Sequence, residues 1–274
     1  MSRPPQLVKL LADAEDALAE GRLEQAESLC RAAILSGEQL AEAHFLLGEA
    51  LRDQGRLDEA EGAFRSVILS FDGPVAADAW AALATVLLQE LRWEECRKAS
   101  NRALREAPDN PEAAWVRGVL RERRGDTHGA MRDFSRAWRI DPISFPMPLP
   151  LSDDLVDSVV SECLMELHPT LRNYLSNVPV LLEEFPSETL LRQYEPPIGP
   201  TQILGYFSGT SIAERSLDTP WSSLPAAIVI FRTNLQRFSR DRKELVEELR
   251  ITLFHEVGHF LGLSETDLED RGLD

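Results

Sequence analysis

Four short segments recur along the first half of the chain: GRLEQA at 21–26, GRLDEA at 55–60, LRWEEC at 91–96 and GDTHGA at 125–130. Their spacings are 34, 36 and 34 residues. The two extra residues fall near Asp72-Gly73-Pro74, a turn signal. Each segment is preceded and followed by a stretch of helical period. This recurrence restricts the fold more than any other feature. A single helical hairpin cannot bury its apolar face alone, so neighbouring units must stack into a continuous core.

The contents of the repeat sharpen that expectation. Ala26, Ala60, Cys96 and Ala130 hold one position, and four residues on come Cys30, Phe64, Ser100 and Phe134. Three further on are Ala33, Val67, Ala103 and Ala137. Gly48 and Gly118 sit in first helices, with Ala14 and Ala84 at the equivalent places, and Pro108 and Pro142 each close a unit. Small residues at fixed positions let two helices approach closely. The pattern resembles the tetratricopeptide repeat, in four units over roughly residues 7 to 142. The resemblance implies an all-α solenoid that binds peptide or protein on its concave face.

Charge narrows the partners. The chain carries a formal net charge of −17, split as −6 up to residue 150 and −11 after it. Both parts would repel a phosphate backbone, so nucleic acid is not an expected partner. Cys30, Cys96 and Cys163 lie far apart and form no C-x-x-C pair, which argues against a disulfide scaffold. Asp13, Glu15, Asp16 and Glu20 interrupt the N-terminus before a signal-peptide core develops, and no stretch approaches the ~18 apolar residues of a membrane span. The expectation is a cytoplasmic protein that does not enter a membrane.

Residues 142–150 contain four prolines and do not form a helix. They mark a boundary between a repeat domain (1–142), a proline-rich linker (143–152) and a second domain (153–274). In that second part Asp153 to Leu167 reads as an amphipathic helix. Val178 to Phe185 reads as an edge strand carrying Pro179, Ile203 to Phe207 as a short apolar run closed at Ser208-Gly209, and Ala226 to Phe231 as the clearest strand. A long helix follows, with Asp241 and Glu244 at capping-box spacing and an apolar face from Val246 to Leu261, ending at Gly262. This order predicts an α+β domain.

The long helix carries His255-Glu256-Val257-Gly258-His259. Helical residues four apart lie one above the other, ~6 Å along the axis. Two imidazoles so placed converge on one zinc ion at ~2.0–2.1 Å. Glu256, ~100° around the helix, stands beside the metal as the catalytic base for a metal-activated water. Gly262 can turn the chain back, and Glu265 then lies at the spacing where extended motifs of this type supply a third ligand. Asp267 is the reserve, with Glu269 and Asp270 further candidates. The expected set is one zinc held by His255, His259 and Glu265.

Residues 151–274 resemble the small bacterial zincin-like metallopeptidases. The matching segments are Asn177-Val178-Pro179-Val180, Leu204 to Gly209, Leu224 to Ile228, Phe231-Arg232 and the motif helix. The resemblance implies a minimal zincin fold, a small mixed sheet against the motif helix with a shallow open cleft. It implies His255 and His259 as ligands and Glu256 as base. The family usually carries Asp where this chain has Glu265. His168 reads as a helix-end surface residue, His44 and His128 as structural members of the repeats, and Tyr206 as strand packing with an oxyanion role as the alternative. The whole describes a zinc-dependent peptidase acting on a peptide or protein substrate, with repeats that recruit it. The alternative is a non-catalytic adaptor, whose histidines would be covered.

Overall fold

The computed structural model describes residues 4–36, 40–194, 198–211 and 226–269. It divides into two compact units, residues 1–145 and 146–274.

The first unit is four helical hairpins. They pair α1 (Pro5–Ala19) with α2 (Leu23–Leu35), α3 (Ala41–Asp53) with α4 (Leu57–Ser70), α5 (Pro74–Gln89) with α6 (Trp93–Glu106), and α7 (Pro111–Arg123) with α8 (Thr127–Ile140). The recurrent small residues Ala26, Ala60, Cys96 and Ala130 are buried, as are Ala33, Val67, Ala103 and Ala137. A Cβ on Gly48 would stand 2.5 Å from the Phe64 ring, and one on Gly118 would stand 2.6 Å from Phe134. Where the first helix has Ala14 or Ala84 instead, the second has the smaller Cys30 or Ser100. Volume is therefore traded within each hairpin, as close-packed interiors require. Arg56 pairs with Glu27 at 2.6 Å and Arg92 with Glu61 at 2.5 Å, which ties each of these turns to the unit before it. Leu91 takes a left-handed backbone (φ 61°) where the neighbouring repeats place Gly21, Gly55 and Gly125. Its side chain is buried, which offsets the roughly 1–2 kcal/mol that such a backbone costs a residue with a Cβ.

The first helices α3, α5 and α7 line one face. Arg52 on α3 reaches over α5 to Glu112 on α7 at 3.3 Å, and Thr85 on α5 donates to the same carboxylate at 2.7 Å. Arg52, Thr85 and Glu112 thus meet on the face that these first helices share.

The second unit opens with apolar anchors from the proline-rich segment. The Leu149 N–H donates to the Gln236 carbonyl, Leu151 is buried, and Phe145 packs on Trp115 within the first unit. Prolines prevent a helix here, yet Leu149 and Leu151 are held in the second core. Next come α9 (Asp153–Glu166), α10 (Pro169–Leu175), β1 (Val180–Glu183), α11 (Glu188–Leu191), β2 (Gly205–Ser208), β3 (Ala227–Phe231), α12 (Arg232–Phe238), α13 (Arg242–Leu261) and α14 (Glu265–Glu269). The sheet order is β1-β3-β2, with β1 parallel and β2 antiparallel to β3. Pro179 precedes an edge strand, as its missing N–H demands. The central β3 is Ala-Ile-Val-Ile-Phe, buried from Ile228 to Phe231. Helix α13 packs Leu245, Leu249, Leu253, Val257 and Phe260 into one core with Val156, Val159, Ile228 and Ile230. Asp241 caps it by accepting from the Lys243 and Glu244 N–H groups, and Glu244 reaches back to the Arg240 N–H. Helices α10, α11, α12 and α14 have no counterpart in the sequence pattern; each is short, below the length at which periodicity is readable. Among the described residues no helix is long and apolar enough to cross a membrane.

Candidate metal centre

Three side chains converge at the C-terminal end of α13. His255 and His259 approach with their Nε2 atoms 3.0 Å apart. The two Glu265 carboxylate oxygens lie 3.4 Å from His255 Nε2 and 3.3 Å from His259 Nε2. Among the described residues this is a group of ligand-bearing side chains arranged to hold a metal ion. Both histidines are half-buried, and Glu265 is 71% exposed.

Local backbone chemistry explains the convergence. Gly262 ends α13 in the left-handed region (φ 92°), and the Leu263 N–H returns to the Gly258 carbonyl at 3.0 Å. This six-to-one bond is a Schellman ending, which favours glycine at that place. It points the Leu263 carbonyl at His259 Nδ1, 3.2 Å away. A carbonyl only accepts, so Nδ1 carries the proton and Nε2 presents its lone pair to the cluster. The chain then enters α14, whose Leu268 is fully buried. A Cβ on Gly258 would stand 2.3 Å from Leu268 Cδ2. The glycine inside the motif thus creates the space that seats α14 and positions Glu265.

Glu256 sits apart from this trio. It is 5% exposed, and its Oε2 has no hydrogen-bond partner. Burial pushes its carboxyl up to about 8, against the Phe207 backbone N–H that donates to it, and the Glu265 charge pushes it further the same way. A buried, half-satisfied carboxyl is costly as a structural element. Near a cation it has a use: the same low-dielectric position makes proton transfer responsive to the charge beside it.

His255, Glu256, His259 and Glu265 all line one open cleft of about 1120 Å³. The histidines are therefore not covered, contrary to what a purely structural domain requires. Two imidazole Nε2 atoms and a carboxylate face one another at 3.0–3.4 Å, a His, His, Glu donor set that fits zinc. Asp267 does not join them. Its carboxylate accepts from the Ser264 N–H at 3.0 Å and from the Ser264 hydroxyl at 2.6 Å, and so caps α14. Glu269 is exposed and outside the cluster, while Asp270 and Leu224-Pro225 lie outside the described residues. Tyr206 lines the cleft and stacks on Phe231 at 5.8 Å. His168 caps α10, accepting from the Thr170 N–H, and is exposed. His44 is half-buried on α3, and His128 lies on α8 beside a second cavity of about 920 Å³. In that cavity the Asp133 carboxylate is engaged by Arg117 and Arg121. The sequence reading missed Tyr194, which lines the metal-site cleft; burial and the Glu256 and Glu265 charges raise its phenol above the ordinary range. It follows a short helix without periodic signal, which left nothing in the sequence to mark it.

Family comparisons agree with this geometry. Residues 175–273 match the zincin-like metallopeptidase family, and residues 11–68, 53–95 and 82–142 match the tetratricopeptide repeat. The chain is a tetratricopeptide repeat array fused to a zincin-like metallopeptidase domain. No curated protein matches it. Among solved structures, MamA from Desulfovibrio magneticus RS-1 is 17% identical, with 52% of this chain and 78% of that one covered at a TM-score of 0.43. A thermophilic tetratricopeptide repeat protein from Thermus thermophilus is 18% identical, with 49% and 74% covered at 0.44. YrrB, a repeat protein with an unusual peptide-binding site, is 17% identical, with 61% and 84% covered at 0.40. At these scores the likenesses carry no functional weight. The zincin-like domain and its convergent His, His and Glu side chains make this a zinc metallopeptidase of the HExxH type.

Proposed function

We propose that His255, His259 and Glu265 hold one zinc ion, that Glu256 is the proton carrier, and that the repeats recruit the peptide or protein to be cleaved. The convergence of the three side chains on one point, beside a buried carboxyl with an unpartnered oxygen, is the observation that carries this reading. When bound, zinc acidifies a water and polarises a carbonyl. The chain's own residues do the rest. The Leu263 carbonyl fixes the His259 tautomer, and the Schellman turn fixes that carbonyl. Phe207 holds one side of the Glu256 carboxylate and leaves Oε2 to take a proton from the attacking water and pass it to the departing amine nitrogen. The open cleft admits an extended peptide along α13.

The concave face of α3, α5 and α7 supports recruitment of a protein segment. Its polar bridge of Arg52, Thr85 and Glu112 leaves the groove lined by hydrogen-bonding groups rather than a bare apolar surface. The described cysteines Cys30, Cys96 and Cys163 are buried free thiols, which supports a reducing, cytoplasmic setting. The chain's acidity supports partners other than nucleic acid.

Glu256→Gln tests the assignment. It keeps the shape and both imidazoles but removes the proton acceptor. Zinc per chain should stay unchanged, while cleavage of a peptide library, followed by mass spectrometry, should fall by about 10²–10⁴-fold. Cleavage at the wild-type rate would assign the proton transfer to another group.

A further inference from the structure

The cleft of the metal centre extends well beyond the three converging side chains. Glu248, Thr252, His255 and His259 form one stripe along α13, at intervals of three or four residues, and all four line that cleft. Glu248 lies two helical turns before His255, about 10 Å along the axis. Its side chain is half-buried, and among the described residues no Lys, Arg or His pairs with it. None of the described residues lining the cleft is Lys or Arg. Burial, with the charges of Glu244 and Glu247, holds its carboxyl above the ordinary range. Ile251, one turn on, and Phe238 add apolar wall to the same cleft, and Phe238 is exposed.

A lone carboxylate on the wall of a substrate cleft, flanked by apolar surface, complements a cationic side chain. The methylene stem of Lys or Arg covers Ile251 and Phe238 while its charged head meets the carboxylate. An extended chain advances about 3.3 Å per residue, so about 10 Å corresponds to about three residues. Resting on the zinc-peptidase reading above, we propose that Glu248 forms a subsite for a basic side chain of the substrate, about three residues from the scissile bond. The substrate class is then peptides with a Lys or Arg at that distance, and an acidic residue in the same place is rejected by like charge.

The test uses the full-length chain carrying Glu256→Gln, so that peptides bind without turnover. Fluorescent hexapeptides, acetylated and amidated so that their ends are neutral, are scanned with one Lys or one norleucine at each position, and affinities are read by anisotropy. With Glu248 present, Lys at one position should bind about fivefold tighter than norleucine, and the preference should shrink at high salt. Adding Glu248→Gln should bring the pair to parity, and Glu248→Lys should reverse the preference toward a glutamate-containing peptide. Glu247→Gln, which removes the same charge from an exposed neighbouring position, should leave the preference within about twofold. Unchanged zinc content in the Glu248 variants confirms that the site is intact. Equal affinities with Glu248 present, a preference that survives Glu248→Gln, or no binding of any peptide overturns the subsite. The underlying peptidase reading fails on a different result: zinc-loaded wild-type chain that cleaves none of the hexapeptides, whatever their binding order.

Discussion

The two units solve the same packing problem with glycine, and to different ends. In the repeats, Gly48 and Gly118 make room for the Phe64 and Phe134 rings. In the C-terminal unit, Gly258 makes room for Leu268. The phenylalanines are rigid and enclosed, so the space serves cohesion. Leu268 meets Gly258 only with the end of a flexible side chain, and its helix carries Glu265. There the space serves position. Each unit also holds a glutamate with a buried, unpartnered oxygen, the half-buried Glu49 on α3 and the buried Glu256 on α13. Glu49 has Arg52 at 2.8 Å, whereas Glu256 has the Phe207 N–H and the His255, His259 and Glu265 group in its cleft. The same residue type contacts a guanidinium in one unit and stands as an uncommitted proton site in the other.

Adding one methyl group to each glycine should separate the two roles. Gly48→Ala forces the Phe64 ring, three of whose atoms lie within 2.8 Å of the new Cβ. It should destabilise the repeats by about 1–3 kcal/mol, only partly offset by the better helix propensity of alanine, and leave zinc affinity alone. Gly258→Ala should do the opposite. Leu268 can swing aside, so melting temperature should change little, but α14 shifts with it and zinc affinity should fall about tenfold. Denaturant unfolding and zinc titration of both variants check this. A large stability loss in Gly258→Ala with zinc affinity intact would erase the distinction.

The two glutamates sharpen the comparison through pH. Burial, the Glu112 charge and the Asp53 charge push Glu49 up to about 7, against the attraction of Arg52. Its folded value lies above the unfolded one, so the stability it contributes is present below about pH 4.5 and is lost as pH rises to about 7. Glu49→Gln removes that loss. At pH 8 it should stabilise the repeats by about 1–3 kcal/mol, and near pH 4.5 the variant and the wild type should converge. Thermal melts across that range decide it. Equal effects at both pH values would mean that Glu49 is held ionised by Arg52 throughout.

Much of this was legible in the sequence, for identifiable reasons. The repeats could be read because each unit restates the same volumes, so Ala26, Ala60, Cys96 and Ala130 report one another's environment. The motif helix could be read because the spacing of His255 and His259 leaves a helix little choice of geometry. The positive φ of Gly262 and the turn toward Glu265 followed from what only glycine does cheaply. What escaped was set by tertiary contacts. The role of Gly258 depends on Leu268 in a helix too short to announce itself. The engagement of Asp267 depends on Ser264 acting as a cap. Tyr194 enters the cleft through packing that no period encodes.

The central claim is that three named side chains hold one metal ion, and equilibrium zinc titration with direct metal analysis tests it most closely. The wild-type chain should bind one zinc, and His259→Ala should lose most of it. Glu265→Ala should weaken binding by about 10–100-fold, Glu265→Asp should retain the metal, and Asp267→Ala should have only a slight effect, since its carboxylate is spent on Ser264. Undiminished zinc in His259→Ala, or a loss on Asp267→Ala that exceeds the loss on Glu265→Ala, would contradict the account.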